Sequence, residues 1–120
     1  MEKIRLGIVG LGGIAQIIHL PILSKMNGVE ISAVCDNDSQ KCKRIAAKYG
    51  IKKFFKNSSD MLSDCQDMHA VIIATQTNAH KQIALECLDA KKDVLIEKPI
   101  ARTYKEAKDI IDSAKKNKQK

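Results

Sequence analysis

A chain of 120 residues with 44% apolar and 29% charged side chains and two prolines has the composition of one packed domain, which excludes a disordered or fibrous chain. No apolar run approaches the roughly 18 residues of a membrane span, so a cytoplasmic protein with no membrane partner is expected. The net charge of +7 is concentrated near the C-terminus, where residues 102–120 hold seven Lys/Arg against three Asp/Glu; with few aromatic platforms and no known nucleic-acid motif, this reads as a solvated basic helix end, and no nucleic-acid partner is expected.

Ile4 to Val9 is a short run containing Ile and Val that stops at glycines, which predicts a buried first strand. Ile14, Ala15, Ile17 and Ile18 open a helical stretch that Pro21 should end or kink, because proline lacks the amide donor and clashes with the preceding turn. Ile31 to Cys35 repeats the strand signature and runs into Asp36-Asn37-Asp38-Ser39. Cys42, Ile45, Ala46 and Tyr49 then recur at helical spacing up to Gly50. Phe54 and Phe55 suggest a short third strand, and Ser58 to Cys65 a short helix. Ala70 to Ala74 is uniformly apolar, as in a central strand covered on both faces, and Ile83, Ala84, Cys87 and Leu88 form one face of the next helix. Asp93 to Ile96 is the last strand. Thr103 with Glu106 makes a capping box for a final helix whose Ala107, Ile110, Ile111 and Ala114 face inward, and Lys115 to Lys120 reads as a frayed end.

Strands alternating with helices require a parallel sheet with right-handed crossovers. The expected fold class is α/β: a three-layer, doubly wound parallel sheet of the Rossmann type, five strands in the order 3-2-1-4-5, forming a single dinucleotide-binding domain over residues 1–120. The cysteines at 35, 42, 65 and 87 show no CxxC spacing and no pairing with histidine, so they are read as thiols in a reducing compartment and no metal site is expected.

The first turn, Gly10-Leu11-Gly12-Gly13-Ile14-Ala15, fits G-x-G-x-x-A: Gly10 for the tight turn, Gly12 for close approach of a pyrophosphate, Ala15 for tight helix packing. The helix that follows points its free amides and positive dipole end at the phosphates. The second strand ends in Asp36, 21 residues after Ala15, where a carboxylate can accept hydrogen bonds from the adenosine ribose hydroxyls. That anion repels the 2′-phosphate of NADP, and Asn37 stands where an arginine would accommodate it, so NAD is favoured over NADP. Asp38 or Ser39 is left to cap the second helix.

Beyond the fourth strand, Ala74-Thr75-Gln76-Thr77-Asn78-Ala79-His80 is a polar loop at the edge where open α/β sheets bind ligands. Thr75 and Thr77 are placed along the path of the pyrophosphate and nicotinamide ribose; the plainer account has Thr77 or Asn78 capping the helix and His80 in its exposed first turn. The fifth strand ends in Glu97-Lys98-Pro99. A lysine held near the nicotinamide can hydrogen-bond a substrate hydroxyl or shuttle a proton during hydride transfer, although a surface lysine before a turn proline is commonplace.

Three segments, GIVGLGGIA at 7–15, ATQTNAH at 74–80 and EKP at 97–99, together resemble the glucose-fructose oxidoreductase and inositol dehydrogenase (Gfo/Idh/MocA) family in order and spacing, over nearly the whole chain. The resemblance implies an oxidoreductase that uses NAD or NADP on sugars, cyclitols and related polyols. It implies Lys98 as the catalytic lysine, Glu97 near the nicotinamide ribose and Asp36 as the ribose ligand. Gly10, Gly12, Gly13, Ile14, Ala15, Asn37, Thr75, Thr77 and His80 complete the candidate cofactor contacts. Gln76 departs from the proline often found in this loop, and His19 in His19-Leu20-Pro21, another family-like pattern, is read as structural. The resemblance also implies a homo-oligomer and a second domain carrying substrate contacts. That domain and a sixth strand are not in these 120 residues, so one open sheet edge and negligible turnover by this chain alone are expected, since substrate orientation is a large part of catalysis.

Overall fold

The computed structural model describes residues 2–120. Five strands, β1 (Ile4–Val9), β2 (Val29–Cys35), β3 (Lys53–Phe55), β4 (Ala70–Ile73) and β5 (Asp93–Ile96), form one parallel sheet in the order β3-β2-β1-β4-β5. The connections are a π-helical turn (Ala15–His19) running into α1 (Leu20–Leu23), then α2 (Ser39–Tyr49), α3 (Ser58–Asp64), and a 3₁₀ turn (Thr77–Ala79) leading into α4 (His80–Asp89). α5 (Tyr104–Asn117) follows β5.

Strand side chains alternate between two cores, as the period of two requires. Ile8, Val34 and Ile72 pack with Ala15 and Leu20 of the first helical segment and with Cys42, Ile45 and Ala46 of α2. Their neighbours Val9, Cys35, Val71 and Ile73 pack with Met61 and Leu62 of α3, Ala84, Cys87 and Leu88 of α4 and Ile110 of α5. Each fully buried Val, Leu, Ile or Met side chain contributes about 1.5–3 kcal/mol. Covering both faces is why β4 is apolar at every position. Among the described residues no helix is long and apolar enough to cross a membrane.

Three details sharpen or correct the sequence reading. Of the two outcomes expected at Pro21, it does not end the helix but follows a local distortion of it: the Leu20 amide bonds back to Ala15 O, widening the turn, and Pro21 enters the first turn of α1, where a missing donor costs nothing. Ile111 is 48% exposed, because the buried stripe of α5 passes through Ile110 and Asn117 and position 111 lies off it. The C-terminal residues are not frayed. Asn117 is buried and bonds Asp89 and Lys91, while the Val94 amide donates to Lys120 O (2.9 Å) and the Lys120 amide to Asp93 Oδ1 (2.9 Å), so the outer edge of β5 is partly paired.

Candidate functional site

The glycine turn leaves β1 and crosses the carboxyl end of the sheet. Gly10 has φ +94°, and a Cβ there would lie 2.7 Å from Ala74 C and Thr75 N, so only glycine lets this backbone pass against the exit of β4. Its amide donates to Cys35 O at 2.8 Å, joining the turn to the end of β2. Ala15 is fully buried beneath the turn, seating the helical segment on the sheet. A Cβ on Gly12 or Gly13 would meet nothing within 4 Å, and no side chain caps the start of the π-helical turn. The result is an open cradle at a helix start; Ile14 is exposed beside it.

Asp36 locks that cradle to β2. Its Oδ2 accepts the Leu11 amide at 2.8 Å and its Oδ1 the Asp38 amide at 2.8 Å, with Lys41 Nζ 3.4 Å from Oδ2. Asp38 caps α2 by accepting the Lys41 amide, which leaves Asp36 to the cleft. The cleft, ≈ 740 Å³, is lined by Gly10, Gly12, Asp36, Asn37 and Thr75, and extends to Lys56–Ser58 and to Gln82 and Glu86 of α4. Cys35 also lines it, but burial, with Cys42 and Asp36 adding to it, pushes its thiol up to about 12, which keeps it an inert neutral thiol.

Sequence reasoning missed Lys41 and Lys56. Lys56 was findable, because β3 pairs in parallel with β2 and its carboxyl end must fall beside Asp36. Lys41 emerges only from the first turn of α2 folding back over the carboxylate.

The other expected residues lie outside this cleft. Thr77 sits in the 3₁₀ turn, and neither it nor Asn78 caps a helix by its side chain. His80 is corrected most sharply: it is 1% exposed, neither in an exposed first turn nor facing the cleft. Its Nε2 lies 3.0 Å from Thr75 O, and its Nδ1 3.0 Å from Pro99 O and 3.2 Å from Ile100 O, so backbone carbonyls occupy both ring nitrogens. Glu97 and Lys98 follow β5, and the Glu97 amide bonds Ile73 O at 3.0 Å. Glu97 Oε1 meets His19 Nε2 from the first helical segment, a pairing the sequence did not indicate. Lys98 is exposed and has no hydrogen-bond or ion-pair partner among the described residues.

The donor set fits a dinucleotide. The open cradle and uncapped helix start suit a diphosphate, and the Asp36 carboxylate beside them suits ribose hydroxyls. Among the described residues no group of three or more His, Cys, Asp or Glu side chains could hold a metal ion.

The profile of the oxidoreductase family with an NAD-binding Rossmann fold (Gfo/Idh/MocA) matches residues 4–120. The chain is 33% identical over 115 residues to an inositol 2-dehydrogenase of Salmonella typhimurium, covering 95% of this chain and 34% of the relative. Among solved structures it is similar to the WlbA dehydrogenase of Chromobacterium violaceum in complex with NADH and UDP-GlcNAcA, with a TM-score of 0.93 and 31% identity over 99% of this chain and 34% of that one. It is also similar to myo-inositol 2-dehydrogenase of Lactobacillus plantarum, with a TM-score of 0.88 and 26% identity over 97% and 34% of the two chains. The chain thus spans about a third of the length of the relatives it matches.

Proposed function

The chain belongs to the oxidoreductase family with an NAD-binding Rossmann fold, and on that premise we propose that it is the dinucleotide-binding domain of an enzyme that passes a hydride between a nicotinamide cofactor and the CH–OH group of a sugar, cyclitol or related polyol. In this reading residues 1–120 form one domain, which works in a cytoplasmic homo-oligomer. The inositol dehydrogenases among its relatives support the polyol class.

Bound NAD supplies the hydride acceptor. The amides of Gly12, Gly13 and Ile14 would hold the diphosphate, with Gly10 and Ala15 shaping the turn beneath it. Asp36, with Asn37 beside it, would accept hydrogen bonds from the adenosine ribose hydroxyls and disfavour a 2′-phosphate. Thr75 and Thr77 would flank the nicotinamide side, and Glu97 would contact its ribose. Lys98, the proposed catalytic residue, would hold or move a proton at the substrate oxygen.

The observation that carries this reading is the hydrogen bond from the Leu11 amide to Asp36 Oδ2, which binds the phosphate cradle and the ribose carboxylate into one unit. The test is a titration with NADH and NADPH, followed by the cofactor's own fluorescence because the chain has no tryptophan, on the wild type and Asp36→Ala. NADH should bind more tightly than NADPH, with the preference erased in Asp36→Ala. Failure of both cofactors to bind would overturn the reading.

A further inference from the structure

We infer that His80 is a positioning residue: its buried ring ties the backbone just after Lys98 to the backbone of Thr75, and so sets the Lys98 loop relative to the dinucleotide cleft. The inference rests on the reading that this cleft binds NAD.

His80 opens α4 and is 1% exposed. Its recorded partners are all carbonyl oxygens: Thr75 O on the Nε2 side, Pro99 O and Ile100 O on the Nδ1 side. Carbonyls only accept. An imidazole N–H directed at them is therefore the donor, and the ring lies wedged between the two backbone segments.

The two ends of this strut are functional landmarks. Thr75 lines the cleft, and its amide nitrogen is one of the atoms that a side chain on Gly10 would strike. Pro99 and Ile100 immediately follow Lys98. Lys98 has no side-chain partner among the described residues, so its backbone must place it. That backbone is held on one side by the Glu97 amide on Ile73 O and by His19 on Glu97, and on the other by His80.

The experiment has two readouts on the 120-residue chain, each on wild type, His80→Phe and His80→Gln. Phenylalanine fills the volume without a donor, whereas the glutamine amide nitrogen can donate to a carbonyl. In NADH titrations we expect about tenfold weaker binding in His80→Phe and recovery of most of that loss in His80→Gln. Amide hydrogen exchange at Lys98, Ile100 and Ala101 reads the loop without cofactor, and should be faster in His80→Phe and restored in His80→Gln. A folded His80→Phe that binds NADH and exchanges as the wild type does overturns the inference. If His80→Phe does not fold, His80→Gln decides: wild-type binding and exchange support the inference, and a loss of about tenfold in binding overturns it. If the wild type itself fails to bind NADH, the proposed function falls, while the exchange rates still test the tie.

Discussion

His19 Nε2 and Glu97 Oε1 lie 2.5 Å apart, joining positions 78 residues apart in sequence. The contact ties the first helical segment to the end of β5, one residue before Lys98. Both side chains are largely shielded, 16% and 27% exposed, so removing one leaves the other poorly solvated. His19→Ala should lower unfolding stability by about 1–2 kcal/mol in urea titrations, while Glu97→Gln, which keeps an acceptor oxygen, should lose less. Equal losses would show that the carboxylate itself is required, and no loss in Glu97→Gln that packing of the His19 ring carries the effect.

Gly10 and Gly12 should separate folding from binding. Gly10→Ala places a Cβ in a positive-φ backbone and against the Ala74–Thr75 peptide, which should cost at least about 1–2 kcal/mol of stability. Gly12→Ala meets nothing within 4 Å. Its stability should stay within about 0.5 kcal/mol of wild type, while NADH affinity falls as the methyl occupies the cradle. Thermal melts alongside fluorescence titrations would distinguish the two.

Cys35 and Cys87 should make the protein alkali-sensitive. Burial is the main cause that raises each thiol from 9.0 to about 12. Below 9 both states hold the protons and nothing changes. Above it the unfolded chain releases protons that the native state keeps, so stability falls as pH rises through that window, by about 1.4 kcal/mol per pH unit for each thiol. Urea midpoints at several alkaline pH values should show a shallower decline in a Cys35→Ala, Cys87→Ala variant. An unchanged slope would sink this account.

Asp109 acts in the opposite direction. Hydrogen bonds from Lys81 of α4 and Lys105 of α5 hold its carboxyl below its ordinary value of 3.8. Its contribution is therefore present above that value and lost as pH falls through the lower folded one. Asp109→Asn should melt below wild type at neutral pH, with the gap closing in acid; a gap that persisted in acid would assign the effect to packing. Because the ion pairs lie at the surface and the Asp109 side chain is 29% exposed, the difference should be small.

Much of the architecture was legible because its cause is local. Ala70 to Ile73 is apolar at every position because both its faces are covered, and Ile8 and Val9 reach opposite cores because strand side chains alternate. The strand order followed from the β–α alternation and the handedness of its crossovers. The placement of Gly10 and Asp36 at one edge was legible too, since both end parallel strands that lie side by side.

Long-range neighbours decided the rest. Nothing near position 80 in the sequence says that its imidazole will be enclosed by carbonyls from residues 75, 99 and 100, nor that Lys41 will fold back onto Asp36. The C-terminal residues, polar enough to read as frayed, are held because β5 offers them an unpaired edge. Periodicity and turn chemistry are written into adjacent residues, so the sequence by itself determined the elements, their order and the edge of the sheet that carries the cleft. Which polar atoms meet across that edge depends on how separate crossovers converge, and only the tertiary structure brought His80 to Thr75 and His19 to Glu97.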